Sequence, residues 1–273
     1  MVDSITQNAA RIAHIFDKLL PPDTFPPEAA EWILKVMGPD RKRILELGVG
    51  SGRILSRIAE HLERDSDSEY EFFGVDISPE MIASAASKRS LQQARFAVAD
   101  IRSVQLNDEF STILCLGNTL GMSLDESALP EICDTAFTHL RDRGLFIVDF
   151  QNPTVLNLLF QESPVVSNFQ QEADQPSGHL QFFSQPNEQL FRVNQHWVDD
   201  QKVVSFVEEL KLYPYQEVQR AAEEVGFVLN DLFGDYLGSP FEEESSFMCV
   251  MVFEKQVRPS DRINSTGGHD HAT

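Results

Sequence analysis

The stretch ILELGVGSGRI, Ile44–Ile54, constrains the fold more than any other part of the chain. A short apolar run typical of a buried strand precedes three glycines, and an apolar pattern of helical spacing follows them. Glycine permits tight turns and lets a backbone approach a ligand without a Cβ. A strand, a glycine-rich turn and a helix in this order predict a nucleotide-binding loop at the edge of a parallel sheet.

The spacing of the glycines distinguishes between nucleotide classes. Gly48, Gly50 and Gly52 form GxGxG, whereas a dinucleotide fingerprint GxGxxG would require a glycine where Arg53 stands. A nicotinamide-dependent oxidoreductase is therefore disfavoured.

Three acids accompany the loop. Glu46 lies inside the strand, Asp76 ends the second predicted strand and Asp100 ends the third. A carboxylate at the end of strand two can accept both hydroxyls of a ribose, and one after strand three can accept from an adenine amino group. Together they indicate a ligand that contains ribose and adenine but no pyrophosphate.

Strand and helix patterns alternate between residues 43 and 150. This alternation predicts an α/β fold with a Rossmann-like, seven-stranded, mostly parallel sheet and helices on both faces. A Gln- and Asn-rich segment with strand-like runs follows, which predicts a small antiparallel β insert. The predicted organisation has these parts: an N-terminal helical lid (1–40), a core (41–151 and 211–256), the β insert (152–210) and a disordered tail (257–273).

Composition excludes several classes of partner. The formal net charge of −21 disfavours nucleic acid and anionic membrane surfaces. No apolar run approaches the ~18 residues of a membrane span, and the N-terminus lacks the features of a signal peptide. Cys115, Cys133 and Cys249 lie in apolar segments without a metal-ligand spacing, so we expect reduced thiols, no metal and a cytoplasmic protein.

Several motifs together resemble the class I S-adenosylmethionine-dependent methyltransferases: ILELGVGSGR, FFGVDIS, VADI, CLGNT and LRDRGLFIVDF. The resemblance covers roughly residues 40–152 and 211–255. The insert, YPYQEVQRAAEEVGF and FGDYLGSPF resemble a bacterial small-molecule branch that includes aminosugar and natural-product N-methyltransferases. Two positions depart from the family pattern: Ser111 stands where FD is usual, and Phe16 where a tyrosine often caps the cofactor.

The resemblance implies S-adenosylmethionine as the cofactor and assigns residues to it. The three glycines would cradle the methionine moiety, Glu46 would orient the loop and Asp76 would hold the ribose. The other implied cofactor contacts are Arg53 in the loop, Ile77, Met81, Asp100 and Ile101 around adenine, and Leu116 and Gly117 near the sulfonium.

The catalytic and substrate-binding residues are less tightly constrained. His196 is the candidate base because its pKa lies near neutrality. Asn118 and Asp149 are the other catalytic candidates, because both follow strands at the predicted active edge. The candidate substrate contacts are Phe16, Asn152, Trp197, Tyr213 and Tyr236.

The sequence predicts an enzyme that transfers a methyl group to nitrogen or oxygen of a small molecule, with carbon still open. The alternatives are aminopropyl transfer, cyclisation of the cofactor, or a non-catalytic cofactor-binding module. The insert is a lid over the substrate, the contact of a homodimer, or both.

Overall fold

The computed structural model describes residues 9, 12, 13, 15–19, 25, 27–63, 70–160, 165–169, 177–185, 189–199 and 202–256. The predicted disordered tail, 257–273, lies outside the described residues, as does most of the first 24 residues. The helices are α1 (Phe16–Leu19), α2 (Pro27–Met37), α3 (Arg53–Leu62), α4 (Pro79–Ser87), α5 (Ala128–His139), α6 (Pro153–Phe160) and α7 (Tyr215–Val225). Short 3-10 turns span Arg89–Leu91 and Thr119–Met122.

Two separate sheets carry the fold. Sheet A has seven strands in the order β10, β11, β5, β4, β1, β2, β3, and only β11 runs against its neighbours. Its strands are β1 (Arg43–Leu47), β2 (Glu71–Asp76), β3 (Arg95–Val98), β4 (Phe110–Cys115), β5 (Leu140–Gln151), β10 (Phe227–Phe233) and β11 (Met248–Lys255). Sheet B is antiparallel and contains β6 (Val165–Phe169), β7 (Ser177–Gln185), β8 (Leu190–Asp199) and β9 (Lys202–Lys211). The predicted fold class is confirmed.

Local sequence explains where the helices of the core begin and end. Ser78 accepts a hydrogen bond from the backbone N–H of Met81 at 3.2 Å, and Pro79 occupies the first turn of α4. Gly226 ends α7 in the left-handed conformation, with φ of 113°. Both ends therefore follow from local sequence.

Helix α6 is a difference from the sequence analysis, which expected only hairpins after strand five. Asn152 precedes Pro153, and its side-chain oxygen accepts from the backbone N–H of Thr154 at 3.1 Å. An asparagine cap followed by a first-turn proline is a helix start. The segment between the sheets therefore opens with a helix.

Apolar clusters fill both faces of sheet A, and a third cluster lies against sheet B. The third cluster joins Ile15 and Leu19 of the N-terminal segment to Met81 of α4 and to Trp197 and Leu210 of sheet B. Sheet B is therefore packed, through the N-terminal segment, onto the part of the molecule where β2 ends.

Candidate functional site

The glycine loop follows β1, at the point where the strand order of sheet A reverses. Strand β1 pairs with β2 on one side and with β4 on the other. Chains that leave neighbouring strands in opposite directions open a crevice at such a point, and ligands of open α/β sheets bind there.

All three glycines of the loop adopt left-handed φ: 74° at Gly48, 52° at Gly50 and 75° at Gly52. A Cβ on Gly48 would lie 2.4 Å from Thr119 Cγ2, and one on Gly52 would lie 2.9 Å from Ala85 Cβ. Around Gly50 the nearest side-chain atom of the described residues is Phe16 Cε1, at 4.0 Å. The outer glycines are thus required by backbone conformation and packing, whereas Gly50 borders open space.

Asp76 connects the glycine loop to the end of β2. Its carboxylate accepts the backbone N–H of Gly50 at 2.8 Å and that of Ser78 at 2.9 Å. Burial raises the pKa of Asp76, and the hydrogen bonds from Ser78, Gly50 and Ile77 oppose this shift. A carboxylate held by two backbone donors in a partly buried crevice is oriented for additional hydroxyl donors.

Glu46 is a buried acid beneath the loop, with 1% of its surface exposed. Burial raises the pKa of Glu46 to about 8, although the Leu55 backbone N–H and the Arg53 guanidinium act in the opposite direction. Its Oε2 has no hydrogen-bond partner among the described residues. Burial also lowers the pKa of Arg53, which lies at the first position of α3. An unpaired buried carboxyl oxygen next to an open crevice is suited to a cationic ligand group.

Replacing Glu46 with glutamine is expected to remove a pH dependence of stability. Since the pKa is raised in the folded protein, the folded state resists ionisation, and Glu46 destabilises it as the pH rises from about 4.5 to about 8. The unfolding free energy of Glu46→Gln relative to the parent should therefore increase by roughly 3–5 kcal/mol across this window. Urea unfolding at several pH values measures it, and a constant difference would contradict the burial argument.

Asp149 organises the turn after β4. It is 3% exposed and accepts the backbone N–H of Asn118 at 2.8 Å, that of Gly117, and the hydroxyl of Tyr236. Burial raises the pKa of Asp149, and these donors oppose the shift. Asn118 has φ of 64° and a buried Nδ2 without a hydrogen-bond partner among the described residues. Asp149 and Tyr236 thus hold the backbone of the turn rather than facing an open space.

The turn after β4 also contacts the glycine loop. Leu116 is buried, and its carbonyl accepts the hydroxyl of Thr119 at 2.8 Å. Gly117 is exposed, with φ of 70°. Sequence reasoning missed Thr119, whose methyl group packs on Gly48, because a threonine after strand four carries no distinguishing spacing.

Helix α1 packs over the glycine loop through two adjacent residues. Phe16 lies next to Gly50, and Asp17 accepts from the Ser51 hydroxyl and pairs with Lys88. The sequence analysis placed Phe16 where a tyrosine often caps the cofactor and named it as a substrate contact, which stays a prediction. Asp17, Ser51 and Lys88 were not predicted, because nothing in a single sequence indicates which surface charges meet.

The four residues predicted to lie around adenine differ from one another in burial and in the groups they contact. Ile77 is half-buried beside Asp76, and Met81 is buried in the cluster under sheet B. Asp100 forms an ion pair with Arg102 at 2.6 Å, which lowers its pKa. Ile101 packs against the apolar cluster that includes β4 and α5. Arg102 is thus a competitor for the carboxylate that was predicted to contact adenine.

Three residues that were predicted to contact the substrate make contacts within the fold. Asn152 donates to the carbonyls of Glu243 and Ser246 at 2.8 and 2.7 Å, in addition to capping α6, so its polar atoms are engaged. Tyr213 is 1% exposed within the apolar cluster of α5 and α7. Trp197 packs on Gly178, where a Cβ would lie 2.4 Å from its ring. Asn152 is engaged in hydrogen bonds and the two aromatic rings in packing, and contact of these three residues with the substrate stays a prediction.

His196 faces away from the crevice. The cross-strand pairs place it with His179 and Ser205, and its Nδ1 lies 2.8 Å from the Ser205 hydroxyl. Gln195 and Trp197, on either side of it, are buried on the opposite face. Because strand side chains alternate between faces, His196 is exposed on the outer face of sheet B. The role of His196 as the catalytic base stays a prediction, and it would require the acceptor to reach the outer face of sheet B.

The described part of the chain has no cluster of three or more His, Cys, Asp or Glu side chains arranged to hold a metal ion. Within the same ranges, no helix is long and apolar enough to cross a membrane.

The family comparison matches the part of the chain that carries this site. Residues 44–144 match a family described as "Methyltransferase domain". A putative methyltransferase of a Geobacillus species is 26% identical over 129 residues, 46% of this chain and 49% of that protein. A glycine/sarcosine/dimethylglycine N-methyltransferase of Actinopolyspora halophila is 24% identical over 74% of this chain and 35% of that protein. The chain spans about half the length of the first curated relatives that it matches.

Solved structures resemble nearly the whole chain. The CcbJ methyltransferase from Streptomyces caelestis superposes with a TM-score of 0.77 at 21% identity, covering 92% of this chain and 99% of that one. A sugar N-methyltransferase from a Streptoalloteichus species gives a TM-score of 0.67 at 20% identity, covering 89% and 93%. At these identities the likeness concerns the fold, including the sheet B region.

Residues 44–144 match a methyltransferase domain, and the fold of the chain is the one seen in solved S-adenosylmethionine-dependent methyltransferases. The predicted family, fold class and cofactor are confirmed. The residues present fit that cofactor: open space borders Gly50, a buried oxygen of Glu46 lacks a partner, and Asp76 is oriented at the end of β2.

Proposed function

We propose that this protein transfers a methyl group from S-adenosylmethionine to a nitrogen or oxygen of a small molecule. The observation that carries the proposal is the geometry of the loop. Three left-handed glycines follow β1, and the Gly50 N–H is fixed to Asp76 at 2.8 Å within the segment that matches a methyltransferase domain. The strongly acidic surface and the sheet B region beside the site support a small acceptor over nucleic acid.

In this proposal the chain holds the cofactor from two strand ends. Asp76 accepts the ribose hydroxyls, Glu46 accepts from the methionine ammonium through its unpartnered oxygen, and Gly50 lets the backbone approach. Gly117 and Leu116 border the reacting methyl, with their turn fixed by Asp149 and Tyr236. Phe16 of α1 lies across the loop as a cover.

The cofactor supplies a methyl group activated by its sulfonium, and the chain supplies the alignment. Methyl transfer is an in-line displacement, in which holding the nucleophile about 3 Å from the carbon provides much of the rate enhancement. Asn118 Nδ2 and Gln151 Oε1 are buried without hydrogen-bond partners among the described residues, and the Gln151 N–H donates to Asn118 Oδ1 at 3.3 Å. This adjacent donor and acceptor are suited to orient a polar acceptor group.

The proposal divides the chain into functional parts. Residues 1–40 act as a lid, 41–151 and 211–256 bind the cofactor, and 152–210 cover the acceptor. A homodimer through sheet B is supported by exposed valines on its outer face, among them Val198 and Val203. Sedimentation analysis tests that contact, and a monomer at all concentrations would exclude it.

The activity is tested by incubating the protein with methyl-labelled S-adenosylmethionine and a panel of small amines and alcohols. We expect S-adenosylhomocysteine and label in an acceptor. Methylthioadenosine as the product would instead indicate cyclisation of the cofactor, and its release from decarboxylated S-adenosylmethionine with an amine would indicate aminopropyl transfer. Binding of the cofactor without transfer to any acceptor would favour a binding module.

A further inference from the structure

The inner face of sheet B is largely apolar and contains one partly buried acid, Glu208. This face is the one that packs against Ile15, Leu19 and Met81, and its described members alternate along β7, β8 and β9. Glu208 lies on it opposite Val193 and two residues before Leu210. Between Phe191 and Trp197 on β8 and between Val204 and Leu210 on β9, Glu208 is the only charged residue of this face, and the charged pair Asp199–Lys202 lies at its far end.

A hydrogen-bonded chain fixes the surroundings of Glu208. The Trp197 indole N–H donates to Gln195 Oε1 at 2.9 Å. An indole can only donate, so it determines which end of the Gln195 amide faces it. Gln195 Nε2 consequently points to Glu208 and donates to its Oε2 at 2.8 Å. The Glu208 carboxyl is thus oriented by the neutral amide of Gln195, which is oriented in turn by Trp197.

No opposite charge balances this carboxyl. Burial raises the pKa of Glu208, and the hydrogen bond from Gln195 only partly opposes the shift. Within the described ranges, no lysine, arginine or histidine forms an ion pair with it. Glu208 is partly buried, and a carboxylate that is partly removed from water is stabilised by an opposite charge. A ligand cation would supply the missing partner.

Glu208 also lies on strand β9, whose C-terminal end approaches the turn after β4. Strand β9 continues from Glu208 to Lys211, whose carbonyl oxygen lies 2.7 Å from the position of a Cβ on Gly121. Three residues of extended strand span about 10 Å. A molecule that extends from the turn at Gly117 and Asn118 along β9 would therefore meet the Glu208 carboxyl.

We propose that Glu208, oriented by Gln195 and Trp197, binds a cationic amino group of the acceptor and selects amines over alcohols. This inference rests on the proposed function and narrows its substrate class. Glu208 is a specificity residue here, distinct from the residues that hold the cofactor.

The test measures binding of matched amines and alcohols to the protein loaded with S-adenosylhomocysteine. The pairs are D-glucosamine with D-glucose, cyclohexylamine with cyclohexanol, and tyramine with tyrosol. Glu208→Gln keeps the shape and removes the charge. Glu209→Gln is the matched control, because the adjacent Glu209 pairs with Arg192 on the outer face.

At least one amine should bind more tightly than its alcohol, and Glu208→Gln should weaken that amine about tenfold or more while leaving the alcohol unchanged. Glu209→Gln should leave both affinities within about twofold. Equal binding within every pair, or an amine preference that survives in Glu208→Gln, overturns the inference. If S-adenosylhomocysteine itself fails to bind the folded parent protein, the proposed function fails instead.

Discussion

Replacing Asp76 with asparagine is expected to weaken binding of S-adenosylhomocysteine by roughly 100-fold or more. The carboxylate accepts from Gly50 and Ser78 and has remaining lone pairs for ribose hydroxyls. An amide has one acceptor oxygen, and losing charge-assisted hydrogen bonds worth about 1.5–3 kcal/mol each gives a change of this size. Isothermal titration calorimetry measures the affinity directly.

Two controls separate this effect from general damage. Asp108→Asn removes an acid that pairs with Arg43 and Arg95 and does not contact the glycine loop. It should bind S-adenosylhomocysteine as the parent does. Titration of the parent with NAD should show no binding, since the loop lacks the third glycine of GxGxxG. Unchanged affinity in a folded Asp76→Asn protein would reject the assignment of the ribose to this carboxylate.

Replacing Gly48 with alanine is expected to destabilise the fold by roughly 2–5 kcal/mol. The left-handed backbone contributes about 1–2 kcal/mol for a residue with a Cβ. Overpacking contributes about 1–3 kcal/mol more, because the new methyl would lie 2.4 Å from Thr119 Cγ2 and 2.8 Å from its Oγ1. Urea unfolding with linear extrapolation gives the free energy of each variant.

The two contributions can be separated with Gly50 and Thr119. Gly50→Ala has a similar φ but no side chain nearer than 4.0 Å, so it should show only the backbone part. Combining Gly48→Ala with Thr119→Ala should recover the steric part, because the remaining Cβ of residue 119 lies 3.2 Å away. Equal losses in Gly48→Ala and Gly50→Ala, with no recovery in the double variant, would refute the steric argument.

The cofactor half of the site was predictable because its signals are local in sequence. Glycines that require left-handed φ and an acid at a strand end are visible without knowledge of tertiary contacts, as Gly48 and Asp76 illustrate. The insert was harder, because the role of a side chain there depends on which face of sheet B is covered.

The choice of His196 as the candidate base overlooked a pattern that is present in the sequence. Phe191, Val193 and Trp197 alternate with Arg192 and His196, so the period of two already placed the histidine on the polar face. Asn152 is different. Its bonds to Glu243 and Ser246 join positions more than 90 residues apart, and no pattern in a single sequence indicates such a pairing.

The contact between α1 and the glycine loop has a kinetic consequence. Phe16 lies next to Gly50, and the Ser51 hydroxyl and Lys88 both bind Asp17. Under the proposed function, a nucleoside held between Phe16 and Gly50 would leave after this contact opens, so we expect its residence time to depend on local opening as well as on contact strength. We expect release of S-adenosylhomocysteine to limit the rate of the catalytic cycle, with the acceptor entering and leaving along the inner face of sheet B.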